Sequence, residues 1–256
     1  MISRNIQTIY VMWLRDMKGF MRSKARIIST LALPFGLLLF MGFGFGSGFS
    51  MVGVPKNVNY LSFLGPGIIG MTMLMNSIFA GISVLWDKEF GFLKEIIVAP
   101  VERWAIVAGR IAGGITTGLI QGILILIIAF LMGLQIINPI GLLLAVAFMI
   151  LIGIGFVGFG VAMASIIEDT QAFSLIMQFI ISPAIFLSGA FFPLANFPLW
   201  LRIIALIDPL VYGIDGLRFS LIGVSQFPIY LNLTILIVFD SAMVFASTWL
   251  FSKTKG

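Results

Sequence analysis

Runs of about twenty apolar residues recur along this chain of 256 residues. They constrain its fold more than any other feature, because a helix of that length crosses the ~30 Å hydrocarbon core of a bilayer. Mean hydropathy is +1.15 and only 10% of residues are charged, too little polar surface for a water-soluble body of this size. A membrane β-barrel would alternate polar and apolar residues in short segments, and no such alternation is present. The expected fold class is therefore an all-α membrane protein with six transmembrane helices. The spans fall near 27–48, 60–86, 104–133, 139–166, 170–191 and 228–250, within one transmembrane domain covering 27–250. The first long apolar run begins near Ile27, too late for a cleavable signal peptide.

Cysteine and histidine are both absent. Thiolate chemistry, imidazole metal sites and serine–histidine triads go with them. No carboxylate pair sits in a cleft-like context, so an intramembrane enzyme has nothing to work with, and neither catalytic nor metal residues are expected. No Gly-x-x-x-x-Gly-Lys-Ser/Thr run occurs, so the chain holds no phosphate loop for ATP. The net charge of +5 is no nucleic-acid signal until its placement along the chain is known.

Residues 1–26 carry Arg4, Arg15, Lys18, Arg22, Lys24 and Arg26 with a single acid, Asp16. Ile6, Ile9, Tyr10, Trp13, Met17, Phe20 and Met21 recur at helical spacing, which predicts an amphipathic basic helix lying on an anionic leaflet. A second polar island runs from Asp87 to Arg103, where seven of seventeen residues are charged. On a helical wheel Asp87, Lys88, Gly91, Lys94 and Glu95 share one side. Phe90, Phe92, Leu93, Ile96 and Ile97 share the other, with Glu89 inside that apolar arc. A short surface helix over 87–99, ended by Pro100, fits this pattern. So does a solvated loop between two spans. Few opposite charges in the island are three or four residues apart, so Glu89, Lys94 and Glu95 are expected to face a partner.

Residues 192–226 contain apolar pieces of about ten residues, each too short to span, with helix-start signals at Asn196 and Asp208-Pro209. Two half-helices dipping back from one surface are expected, as a re-entrant pair. Residues 251–256 form a tail. Six spans place both termini on one side. With the termini inside, the interior holds six basic residues at the amino end, four around the island (Lys88, Lys94, Arg103, Arg110) and two at the carboxyl end. The exterior holds Lys56, Arg202 and Arg218. The positive-inside rule then makes both termini and the island cytoplasmic and the re-entrant region external.

Two intramembrane features invite function. Asp240 lies midway along the last span, where a carboxyl group is costly. It is expected to be protonated, to face a hydrated cavity or to bond Ser241 or Ser247. A structural contact between helices is the plainer reading. Gly114, Gly118 and Gly122 form a four-residue stripe suited to close helix packing, preceded by Gly109 and Gly113, with the partner helix open.

The island's Asp87-Lys88-Glu89-Phe90-Gly91 followed by Pro100-Val101-Glu102-Arg103 resembles the signature of ABC transporter permeases of the type 2 exporter class. Phe192-Pro193, then Asp208-Pro209-Leu210-Val211-Tyr212 through Arg218, is similar to that family's segment before the last span, with Asp-Pro where Asn-Pro is more usual. Phe92 stands where many relatives carry threonine. Within that class the chain resembles the daunorubicin-resistance and nodulation-factor exporter permeases. The resemblance covers nearly the whole chain. It implies a permease subunit working as a dimer with two separate ATPase subunits, which hold the ATP and Mg while this chain binds no cofactor. The amino-terminal helix would serve as an interface helix and 87–99 as a coupling helix, with Glu89, Gly91, Pro100 and Arg103 at motif positions. Together they would move an amphipathic, hydrophobic or lipid-linked substrate out across the cell membrane. The competing reading is an ion-coupled secondary transporter or channel built on Asp240 and the half-helices.

Overall fold

The computed structural model describes residues 2–45, 55, 58–91, 101–137 and 139–253. Among these residues the chain is all helix, with no strand. Helix α1 (Ile2–Arg22) precedes six helices long and apolar enough to cross a bilayer: α2 (Lys24–Gly44), α3 (Tyr60–Glu89), α4 (Arg103–Leu131), α5 (Pro139–Ile166), α6 (Thr170–Leu187) and α9 (Ile229–Lys253). Between α6 and α9 lie a 3-10 turn (Leu194–Asn196), the short α7 (Leu199–Ala205) and α8 (Pro209–Ile222).

Helix α3 is the hub. The apolar window of α3 is 67% buried, against 17%, 22% and 17% for α2, α6 and α9, which form the rim. It packs on α2, α4, α5, α6 and α8, while α5 is also covered by α9. Close approach is made by glycine. A Cβ at Gly114 would meet Val157 of α5 and Ala80 of α3, and one at Gly118 would meet Asn76 and Met73 of α3. One at Gly122 would lie against Met73 and Met149. The stripe thus takes α3 on one side and α5 on the other. Gly109 and Gly113, on a neighbouring face of α4, receive α1 instead: a Cβ at Gly109 would fall 2.7 Å from Met12 Cβ and 3.0 Å from the Ile9 carbonyl.

Several boundaries differ from expectation, each for a local reason. The amino-terminal helix ends at Arg22, not 26, because Ser23 leaves helical geometry and α2 begins at Lys24. The second span runs on through Asp87-Lys88-Glu89, so the expected coupling helix cannot begin at 87. Its C-cap is Phe90, and Gly91 then takes φ +74°, a left-handed conformation that glycine adopts without a Cβ penalty. Residues 92–100, with Lys94, Glu95 and Pro100, lie outside the described residues. The fifth span stops at Leu187 rather than 191, where Gly189 (φ +74°) reverses the chain.

The two expected half-helices are unequal. α7 has seven residues and sits on α6, whereas α8 has fourteen and is buried along most of its length. Asn196 lies in the 3-10 turn and caps nothing, while Asp208 caps α8 by accepting from the Leu210 amide at 2.9 Å. Against α5, Gly141 faces Ser220, Phe148 faces Gly216, and Ile152 faces Gly213. Helix α8 therefore runs antiparallel to α5 and reaches only about half-way along it.

Candidate functional site

The ends of α3, α4, α5, α6 and α9 nearest the termini carry a polar junction rooted in three consecutive residues. Asp87, Lys88 and Glu89 close the last turn of α3, and each binds a different neighbour. Asp87 accepts from Arg15 of α1 at 2.8 and 3.3 Å and from Arg110 of α4. Arg110 also donates to Asp16 of α1 at 2.9 Å and to Ser83 at 3.0 Å, and its side chain is only 4% exposed. Lys88 donates to the carbonyls of Ala164 and Ser165 at 2.6 and 3.2 Å, satisfying groups left open at the C-terminal end of α5. Glu89 accepts from the Thr170 hydroxyl at the start of α6. Glu89 is thus tied to α6 through one hydrogen bond while its side chain stays exposed at the surface, where it was expected to face a partner.

Around the ionic cluster, α1, α3 and α4 enclose a cavity of about 470 Å³ whose wall includes Arg15, Asp16, Asp87 and Arg110 together with Trp86 and Phe90. Further contacts fix α1 along α4. Trp13 Nε1 donates to Thr116 at 3.0 Å. Asn5 Nδ2 donates to Glu102 at 2.9 Å, and the Glu102 amide returns a bond to Asn5 Oδ1 at 3.3 Å. The Asn5 bond, and after it that of Trp104, holds the Glu102 carboxyl below the usual glutamate range. Arg103 donates to the Phe251 carbonyl at 3.4 Å and to that of Ser252, joining the start of α4 to the end of α9.

At the opposite end, Arg218 of α8 is buried and donates to three backbone carbonyls: Phe63 in α3 at 3.2 Å, and Gly189 and Ala190 after α6 at 2.6 and 3.1 Å. Asp215 binds the amides of Gln226 and Phe227 at 2.8 and 3.1 Å and Asn232 Nδ2 at 2.9 Å, tying α8 to the start of α9. Asp208 and Pro209 start α8, and Pro193 precedes the 3-10 turn.

Asp240 faces α5, where a Cβ on Gly155 would come within 2.5 Å of its carboxylate. Neither of its oxygens has a hydrogen-bond partner. Ser241 and Ser247 donate to carbonyls of their own helix, at Ile237 and Val244, so the bonds expected from them to Asp240 do not form.

Two features escaped the reading of the sequence. The first is the pairing of Arg110 with Asp16 and Asp87, since nothing in one dimension brings Asp16, 94 positions away from Arg110, to the same side chain as Asp87. The second was visible: Gln171, Ser174, Gln178 and Ser182 recur every three or four residues along α6. They are exposed or half-buried on its outer side, and Gln178 donates to Ser182 at 2.8 Å. Gln178 and Ser182 enter a groove of about 280 Å³ between α2, α3 and α6, otherwise walled by residues such as Leu33, Met71, Met75 and Phe191. Among the described residues, no group of acidic side chains could hold a metal ion.

The chain is similar to the inner membrane transport permease YadH of Escherichia coli, at 26% identity over 95% of this chain and 94% of that one. It is 29% identical to the putative transport permease ycf38 of Cyanophora paradoxa over 92% and 86% of the two chains. Against nodulation protein J of Rhizobium leguminosarum it is 26% identical over 94% and 92%. The family model described as ABC-2 type transporter matches residues 7–222, which include most of α1, the α3 junction and Arg218. Six apolar helices, a polar junction at one end of them and that match together make this chain a member of the ABC-2 type transporter family, a multi-pass membrane permease.

Proposed function

We propose that the chain is the membrane subunit of an ATP-driven exporter, paired with a second permease copy and worked from the cytoplasm by two separate ATPase subunits. The observation that carries this reading is the junction at Asp87-Lys88-Glu89. These residues stand immediately before the 92–100 segment, on which a partner would push. A displacement there reaches α1 and α4 through Asp87, α5 through Lys88 and α6 through Glu89. The basic residues near this end favour the cytoplasm. On this reading α1 is the interface helix, residues 92–100 are the coupling segment with Lys94, Glu95 and Pro100, and α7–α8 is the external re-entrant pair.

The polar row on α6 supports pairing of two copies. Amide and hydroxyl side chains are not placed against hydrocarbon when a polar alternative exists. Facing a second copy, the row and the α2/α3/α6 groove line a seam that is mostly apolar with a few hydrogen-bonding groups. That lining suits a hydrophobic, amphipathic or lipid-linked substrate. Asp240 favours the ion-coupled alternative only through its unpartnered oxygens, because it stands in the wall of neither the groove nor the α1/α3/α4 cavity.

The test is co-purification of the tagged chain with its ATPase, followed by ATP hydrolysis in proteoliposomes. Asp87→Asn and Lys88→Ala should leave the complex assembled and lower permease-stimulated hydrolysis at least several-fold. Ion-driven uptake into liposomes containing this chain alone would overturn the reading.

A further inference from the structure

A buried guanidinium is costly unless its donors are met. Arg218 is 3% exposed, and the ion pairs among the described residues involve Arg15, Asp16, Asp87 and Arg110 but not Arg218. Its hydrogen bonds go to backbone carbonyls, with Asp215 one turn earlier on α8 as the nearby opposite charge, and two of the three carbonyls belong to one turn, at Gly189 and Ala190. Its carbon Cζ also lies 3.7 Å from the centre of the Phe63 ring. The same turn is seated on α3 in two further ways. Tyr60 donates its hydroxyl to the Phe191 carbonyl at 3.2 Å. At Gly67 a Cβ would fall 2.4 Å from the Ala190 carbonyl oxygen, so only a glycine lets the turn lie this close. The next residues, Phe191 and Phe192, belong to the wall of the α2/α3/α6 groove at the end away from the junction.

We propose that Arg218 is a positioning residue that latches the Gly189–Phe192 turn onto α3 and so keeps the outer end of the groove shut. The inference rests on the groove being part of the export path. The latch and the cytoplasmic junction sit at opposite ends of one helix: Phe63 and Gly67 begin α3, and Asp87 to Glu89 end it. A tilt of α3 imposed at the junction therefore changes its register with the turn, and Arg218 on α8 can no longer keep both its bond to Phe63 of α3 and its bonds to the turn. Lysine cannot reproduce the latch, because its ammonium lacks the planar fork that reaches carbonyls on two elements.

The chain has no cysteine, so single cysteines report cleanly. A spin label at Phe192→Cys reads the turn. In right-side-out cells, a charged, membrane-impermeant thiol reagent reads Gln178→Cys in the groove, with a label at Tyr230→Cys as a distant control. Arg218→Gln should mobilise the Phe192 label and raise the Gln178 modification rate about tenfold, leaving Tyr230 unchanged. Gly67→Ala should do the same without touching Arg218, and Tyr60→Phe should give a smaller effect. If Arg218→Gln leaves the Phe192 label as immobile as in the parent, or only Gly67→Ala frees it, the latch is overturned. If Arg218→Gln fails to fold, Gly67→Ala and Tyr60→Phe decide: an immobile Phe192 label in both overturns the latch, and graded release supports it. A mobile Phe192 label with Gln178 still inert would show that the turn does not close the groove and would overturn the proposal, whereas open labelling of Gln178 with ATP-driven export unchanged would instead remove the groove from the export path.

Discussion

Replacing Arg110 by methionine tests whether the junction is one coupled unit. The change keeps length and helix propensity but strips the buried charge that Asp16 and Asp87 share. Removing one partner of a buried pair costs about 3–5 kcal/mol, because the remaining charge is left without compensation. Here the two carboxylates are 19% and 15% exposed and Arg15 still neutralises one of them, so the cost should fall near the lower limit, about 3 kcal/mol. The triple variant Asp16→Asn/Asp87→Asn/Arg110→Met removes the buried charges together and leaves only Arg15, which at 30% exposed can turn to water. Replacing a whole buried ionic group by neutral side chains is often neutral, so the triple should return to within about 1 kcal/mol of the parent. Reversible unfolding of the full chain by sodium dodecyl sulfate titration in mixed micelles, read by tryptophan fluorescence, measures both. A triple variant as unstable as the single, or more so, would show that the three side chains contribute independently and would remove the physical basis for transmission through Asp87.

Gly109→Leu should lift α1 from α4, because even the first added carbon meets Met12 and the Ile9 backbone; a spin label at Gln7 becomes mobile, at a stability cost of about 2 kcal/mol. An immobile Gln7 label would mean that α1 is not seated by this contact. The Asn5–Glu102 clamp has a defined pH dependence. Glu102 is held below its usual range, so its contribution is complete above that range and disappears as pH falls through the lowered value. The Gln7 label should therefore loosen only below the ordinary glutamate range, and Glu102→Gln should flatten the profile; a profile unchanged by Glu102→Gln would rule out this residue as its source. Asp240→Ala should raise stability by about 1–2 kcal/mol, since it removes a buried carboxyl that meets no side-chain donor and has only the Gly155 backbone of α5 beside it. A loss of stability instead would show that the carboxyl makes a bond essential to the α5–α9 contact.

The spans were legible because hydrocarbon imposes length and apolarity together, and the fourth was placed at both ends, 139–166. Errors gathered where the determinant is a single backbone conformation. Gly91 and Gly189 both end a helix by turning left-handed, yet neither differs in the sequence from the many glycines that stay helical. The glycine stripe of α4 was visible as a close-packing face, but not its division of labour. Gly109 and Gly113 stand one residue off the register of Gly114, Gly118 and Gly122, a rotation of about 100° around the helix, and that offset separates the α1 groove from the α3/α5 seam.

Charge was the least legible property. Counted along the chain, Arg110 is one more basic residue in the positive-inside count, and Asp16 is a lone acid in a basic helix that the count passes over. In three dimensions they neutralise each other, so Arg110 contributes far less to the surface field than its number in the positive-inside count implies. The basic residues that remain exposed, such as Arg4, Lys18 and Arg22 on α1, lie on one short helix beside the junction. With Arg15 and Asp16, α1 grips the end of α3 at Asp87 and the side of α4 at Arg110. On the proposed function the exposed basic side of the same helix would hold this end of the bundle at the charged leaflet, so orientation and coupling would draw on one helix.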